Sequence, residues 1–221
     1  MENVSRHQCF IYEGAPSQQS PALASIIQKR LNDNYRCLYL NSPDMLANMR
    51  FCLQSRKVNV AEEIAKTRLL LTSATAVSAD GRFDADLMIS RLEDAVAQAL
   101  RDGFKGLFAT GDMSWELGPQ KENFSRLLDY EWKLERVFHR QPALCGICQY
   151  HQDTLSPELV RAGILSHQAI FINETLSRVN DHYTESVPQA EQKVSRSAEE
   201  LDEAVRKLFM PQYETDSIKS G

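Results

Sequence analysis

The sequence predicts an α/β protein: a three-layer α/β/α fold around a mostly parallel central sheet, with an added C-terminal helix. Three observations carry this. Short apolar runs alternate with longer amphipathic stretches up to about residue 172. Helix start and stop signals fall between the runs, in the order that βαβ units require. The chain has 221 residues, 43% hydrophobic and 25% charged, which is ordinary globular usage and enough to bury a core.

The first strand is expected over residues 8–12. Residues 17–31 then carry Leu23, Ile26, Ile27 and Leu31 at helical spacing. A second strand, RCLYL, spans 36–40, and Asn41-Ser42-Pro43-Asp44 opens a second helix with proline near its start. A third strand covers 68–72 and a polar loop 74–82. The clearest helix is 83–102, with Met88, Leu92, Ala95 and Ala99 on one stripe and Gly103 where a terminating glycine belongs. A fourth strand, FKGLFAT, spans 104–110. A long helix is expected over 121–140, with Phe124, Leu127, Leu128, Leu134 and Phe138 inward. A fifth strand covers 143–150. A short helix over 156–162 follows, capped by Ser156 with Pro157 in its first position. The sixth strand is 169–172.

After residue 173 the composition changes. Residues 174–188 are polar and read as a linker. Residues 189–210 read as a helix, with Val194, Leu201 and Leu208 at seven-residue spacing. That helix either packs on its own domain or mediates dimerisation or signalling. Residues 211–221 form a tail.

Charge and cysteine usage bound the function. The net charge is −5, and no Lys/Arg run exceeds two residues, which argues against direct nucleic-acid binding. The five cysteines are scattered and do not form a secreted disulfide framework. The polar first residues suggest no signal peptide. No window approaches the about 20 apolar residues that span a bilayer. The expected location is the cytoplasm, with no membrane contact.

Open parallel sheets bind ligands at the carboxyl ends of their strands. That gives weight to Tyr12, Glu13, Asn41, Thr72, Asp112, Trp115 and Tyr150. A phosphate loop would lie between the first strand and the first helix. The segment from Glu13 to Pro21 holds one glycine, and the first lysine of the chain is Lys29. Inward-turned amides and a phosphate-binding lysine are both missing, so ATP hydrolysis is not expected. Asp112, at the end of the fourth strand, either caps the next turn or contacts another ligand.

Cys145 and Cys148 spell C-x-x-C inside a strand, where residues three apart point to opposite faces. A redox or zinc pair is therefore not expected of them. Cys148 and Tyr150 share a face. His7 and His167, near strand starts, read as hydrogen-bonded structural residues or as ligands. His151 could face a strand-end pocket, and Glu131 reads as a solvated mid-helix acid. No catalytic constellation can be read from spacing.

Several fragments together carry a family resemblance. They are His7-x-Cys9-x-x-Tyr12-Glu13, Arg36-Cys37-Leu38-Tyr39-Leu40, Gly81-Arg82-Phe83-Asp84, Gly111-Asp112-Met113-Ser114-Trp115, Tyr130-Glu131, Leu144-Cys145-Gly146-Ile147-Cys148-Gln149-Tyr150 and His167. In this order the chain resembles the MEDS domain, the methanogen/methylotroph sensory domain named for the regulator DcmR, over about residues 5–173. The resemblance implies a RecA/KaiC-like domain that has lost its phosphate loop and senses small molecules of the hydrocarbon-derivative class. It also implies that His7, Tyr12, Glu13, Asp112, Trp115, Glu131, Cys148 and Tyr150 are the ligand-binding motif positions. Residues 1–173 would then be the sensory domain. Tyr12, Trp115, Cys148 and Tyr150 are expected to line one pocket at the carboxyl edge of the sheet; the other reading is that these aromatics fill the core.

The leading expectation is thus a non-enzymatic sensory module in signal transduction or transcriptional control. No cofactor or metal is expected. Its partners would be a small-molecule ligand and a signalling protein, or a second copy of the chain. The alternative is a degenerate RecA/KaiC-like nucleotide-binding or assembly protein. The third reading is a thiol or metal sensor using Cys9, Cys148 and His7.

Overall fold

The structure, a computed structural model, describes residues 6–77, 80–116, 121–124, 126–173, 176–181 and 183. The helix expected over 189–210 and the tail over 211–221 lie outside the described residues.

Seven strands form one sheet in the order β3-β2-β4-β5-β1-β6-β7. They are β1 (His7–Tyr12), β2 (Arg36–Leu40), β3 (Leu69–Thr72), β4 (Leu107–Asp112), β5 (Leu144–His151), β6 (Ala169–Asn173) and β7 (Leu176–Val179). All neighbouring pairs are parallel except β6 with β7. The central strands are mostly apolar because both of their faces are covered, with His7, Thr110, Asp112 and Gln149 as buried polar exceptions. On β1, Cys9 and Ile11 face one layer and Phe10 and Tyr12 the other.

Helices α1 (Ser20–Asn32), α2 (Pro43–Ser55) and α3 (Val60–Ala65) cover the face that carries Phe10, Tyr39, Phe108 and Ile147. Helices α4 (Ala85–Arg101), α7 (Leu127–Arg140) and α8 (Pro157–Ser166) cover the opposite face, with Cys9, Leu107, Cys148 and Tyr150. The remaining α5 (Met113–Glu116) and α6 (Lys121–Phe124) are single turns after β4. The three-layer architecture is the one expected.

Several boundaries differ, each for a local reason. The helix expected from residue 17 begins as a 3₁₀ turn, Pro16–Gln19, and becomes α-helical at Ser20. The fourth strand starts at Leu107 because Phe104 belongs to the end of α4. The Phe104 amide donates to the Ala99 carbonyl and the Gly103 amide to that of Leu100, with Gly103 at φ 83°. That is a Schellman stop. The single helix expected over 121–140 is two, α6 and α7. Asn123 is 1% exposed. It accepts from the Phe83 amide at 2.8 Å and donates to the Gly81 carbonyl at 3.0 Å, holding the approach to α4. Ser156 precedes α8, but its side chain caps no backbone amide, and α8 runs on to Ser166 beneath an apolar face. The six-residue α3 has no counterpart in the expected elements.

The sheet continues past residue 173, into the stretch read as linker. There β7 returns antiparallel along β6. Asn180 then donates to the carbonyls of Ile164 and His167, at 2.5 and 2.7 Å, tying the chain to the end of α8.

A buried polar cluster and an apolar cavity

Four of the eight sequence-derived positions meet inside the molecule. His7 opens β1, and Cys148 and Tyr150 lie on β5. The register sets His7 beside Gly146 and Cys9 beside Cys148, so this face of both strands looks at α7 and α8. Glu131 projects from α7 and His167 follows α8. Their exposures are 1% for His7, 0% for Glu131, Tyr150 and His167, and 6% for Cys148.

His7 Nδ1 donates to Glu135 Oε2 at 2.6 Å, which leaves Nε2 to accept from the Cys148 thiol at 3.3 Å. His167 Nδ1 donates to the Gly163 carbonyl at 2.7 Å, which turns its Nε2 inward. That Nε2 lies 3.6 Å from Glu131 Oε2, and His7 Nε2 lies 3.9 Å from the same oxygen. Tyr150 donates its hydroxyl to Glu131 Oε1. Phe138 stacks on His7 with ring centres 4.1 Å apart. One nitrogen, oxygen or sulfur atom from each of His7, Glu131, Cys148 and His167 falls within 4.8 Å of all the others.

Burial governs the protonation of this cluster by disfavouring charge. It lowers His7 to about 3, with the neighbouring His139 adding to the shift. It holds His167 well below the usual histidine value. It raises Glu131 to about 8, against the opposing hydrogen bond from Tyr150. The Cys9 thiol is pushed up for the same reason, and Glu131 adds to it.

The other four positions lie elsewhere. Tyr12 is on the opposite face and donates to Asp112 Oδ2 at 2.8 Å. Asp112 Oδ1 accepts from the Ser114 hydroxyl and from the Trp115 amide, the latter at 3.1 Å. Asp112 therefore caps the turn that follows β4. Half-buried Trp115 donates its indole N–H to the Ser73 carbonyl at 3.2 Å. Exposed Glu13 accepts from Gln152 at 2.7 Å. His151 stacks on Tyr12 and donates to the Gly14 carbonyl at 2.9 Å. The four residues expected in one edge pocket are thus divided by the sheet, with Cys148 and Tyr150 on one side and Tyr12 on the other. Glu131, read from its helical position as solvated, is fully buried.

Beside the cluster, between the sheet and helices α4 and α7, lies a cavity of about 60 Å³. Its walls include Leu92, Ala109, Met113, Tyr130 and Leu134, and Cys148 lines it as well. Cys148 therefore belongs to both the polar cluster and the apolar space.

The order of these fragments along the chain is also that of a known sensory domain. Residues 6–168 match the family model of MEDS, the MEthanogen/methylotroph, DcmR Sensory domain. The chain belongs to the MEDS family. No curated protein matches it. Within this MEDS domain, spacing had not pointed to Glu135. The available signal was its position four residues after Glu131, on the helix face shared with Leu134 and Phe138. No described helix of the domain is long and apolar enough to cross a membrane.

Proposed function

We propose that this MEDS domain is a non-enzymatic cytoplasmic sensor of a small, weakly polar molecule of the hydrocarbon-derivative class. The ligand enters the cavity under α4 and α7, and the bound state is passed to a signalling or transcriptional partner. The cavity carries this reading. Its about 60 Å³ is several times the about 10–15 Å³ that one water needs, which suits a molecule of a few heavy atoms. Its aliphatic and aromatic walls favour an uncharged occupant, and membership of a sensory family supports the role.

The turn after β1 favours this reading over a nucleotide in a RecA/KaiC-type ancestral site. The Gly14 amide there already donates to the Asp153 carboxylate at 2.8 Å, and Glu13 stands beside it. A phosphate would meet two acids.

Thermal-shift titration tests the reading. Short halocarbons and alcohols should raise Tm saturably, since a ligand that binds only the native state stabilises it. Leu92→Phe, which fills the cavity, should abolish the response relative to its own ligand-free Tm. A saturable rise with magnesium nucleotide, unaffected by Leu92→Phe, would replace this reading with the nucleotide one.

A further inference from the structure

We propose that His7, Glu131, Cys148 and His167 form a closed, four-ligand site for a zinc-class divalent cation. The inference stands on these side chains and needs no ligand in the neighbouring cavity. It departs from the sequence expectation of no metal, and it uses two residues, Glu131 and His167, that the thiol-or-metal reading did not include.

Geometry comes first. Zinc sits about 2.0–2.3 Å from nitrogen, oxygen and sulfur ligands, so tetrahedral ligand atoms are spaced roughly 3.3–3.8 Å apart. Here His7 Nε2 and Cys148 Sγ are 3.3 Å apart, His167 Nε2 and Glu131 Oε2 3.6 Å, and His7 Nε2 and Glu131 Oε2 3.9 Å. Three of the six donor pairs thus stand at or near tetrahedral edge lengths, and all six lie within 4.8 Å.

Hydrogen bonding supplies an independent sign. A purely structural polar cluster satisfies its members, because an unpartnered buried polar atom is costly. Glu131 Oε2 and His167 Nε2 are fully buried and have no hydrogen-bond partner among the described residues. With the Glu131 carboxyl ionised on binding, both are acceptors facing the same point, and a cation there satisfies both.

The surrounding groups complete the pattern. Ligating histidines commonly donate their second nitrogen to a carboxylate or backbone carbonyl, which fixes the ring and its tautomer. His7 does so to Glu135, and His167 does so to Gly163. Tyr150 holds the second oxygen of Glu131. Three of the four ligands are therefore oriented from behind.

Ligand chemistry selects the ion. Two imidazoles, a thiolate and a carboxylate suit zinc-class metals rather than magnesium or calcium. A divalent cation balanced by one thiolate and one carboxylate leaves the buried site neutral, which a low-dielectric interior requires. Four protein ligands with no exposed position make it a structural or sensing site in form.

The test uses the full chain, made without a polyhistidine tag in zinc-supplemented medium. Elemental analysis should find about one zinc per chain, and a strong chelator should lower Tm. Cobalt substitution should give tetrahedral visible bands together with a thiolate-to-cobalt charge-transfer band. Cys148→Ser should lose the charge-transfer band, while Cys52→Ser should keep it. Tyr150→Phe keeps the ring and removes only the hydroxyl behind Glu131. It should weaken zinc binding by about 10–100-fold, the usual range for such outer groups, with the circular dichroism of the wild type. Wild-type protein that holds no metal and shows no Tm or spectral response to zinc or cobalt overturns the proposal. A charge-transfer band that survives Cys148→Ser also overturns it.

Discussion

A Cβ built on Gly163 would lie 2.6 Å from the Tyr150 ring, well inside contact distance. The glycine lets α8 settle onto β5, and its own carbonyl receives the His167 ring. One residue thus sets two members of the buried cluster. Gly163→Ala should lower stability in urea melts by about 1–3 kcal/mol, the usual range for overpacking. It should also expose Tyr150, which second-derivative absorbance would report. An unchanged melt would mean that α8 can shift at no cost. The same scale explains why the expected edge pocket divides. Ile11 pairs with Tyr150 and Tyr12 with His151, and successive strand residues point to opposite faces. Tyr12 and Tyr150 therefore cannot share one. Parity within β5 was legible, since Cys148 and Tyr150 do share a face. The register between β1 and β5, set by tertiary pairing, was not.

Among the elements, those with strong local signals were the most readable. The β2 strand has the boundaries expected from RCLYL, and α2 starts at Pro43 with the Ser42 side chain accepting from the Met45 amide. Elements that tertiary contacts create were missed. The α3 helix is six residues long, and β7 exists because β6 offers it an edge. Joints between elements also rest on long-range contacts. Arg36, at the start of β2, donates to the Thr67 carbonyl at 2.7 Å and pairs with Asp102 at the end of α4. Its guanidinium lies over the Phe104 ring at 4.7 Å. The hydrogen bond from Arg36 holds the Asp102 carboxyl below the usual aspartate value. A folded-state pKa lowered in this way adds stability above the unfolded-state value and loses it as pH falls through the folded one. Asp102→Asn should therefore be less stable than wild type near pH 7. The gap should close on acidification below about pH 4, where aspartate titrates. Paired denaturation curves across that range check it, and a gap independent of pH would assign the loss to packing.

Across the whole molecule, the chain's first strand sits between two late ones. β1 lies between β5 and β6, and the cluster joins residue 7 to residues 131, 148 and 167. The contacts that complete the centre of the sheet are therefore of long sequence separation, which slows folding. A fragment ending at residue 140 keeps the α1–α3 layer but has no partner for β1. It should lack cooperative unfolding, whereas residues 1–183 should melt in one transition. A cooperative melt from the shorter fragment would show that β1 finds another place. This is also why the cluster was only partly legible. The fragments that suggested it are short and far apart, and their convergence depends on a strand order that periodicity does not specify.

The antiparallel return of β7 decides where the chain leaves the sheet. Had β7 run parallel, the last described residues would emerge at the strand ends near Tyr12 and Asp112. Instead they come back to the end of α8, where Asn180 is fastened to Ile164 and His167. Tyr183 sits against Trp132 with ring centres 6.4 Å apart, and its hydroxyl reaches Glu135 Oε1 at 3.4 Å. Glu135 is the same side chain that steadies His7. This end of the described chain is therefore geared to α7, and a tilt of that helix carries Tyr183 with it.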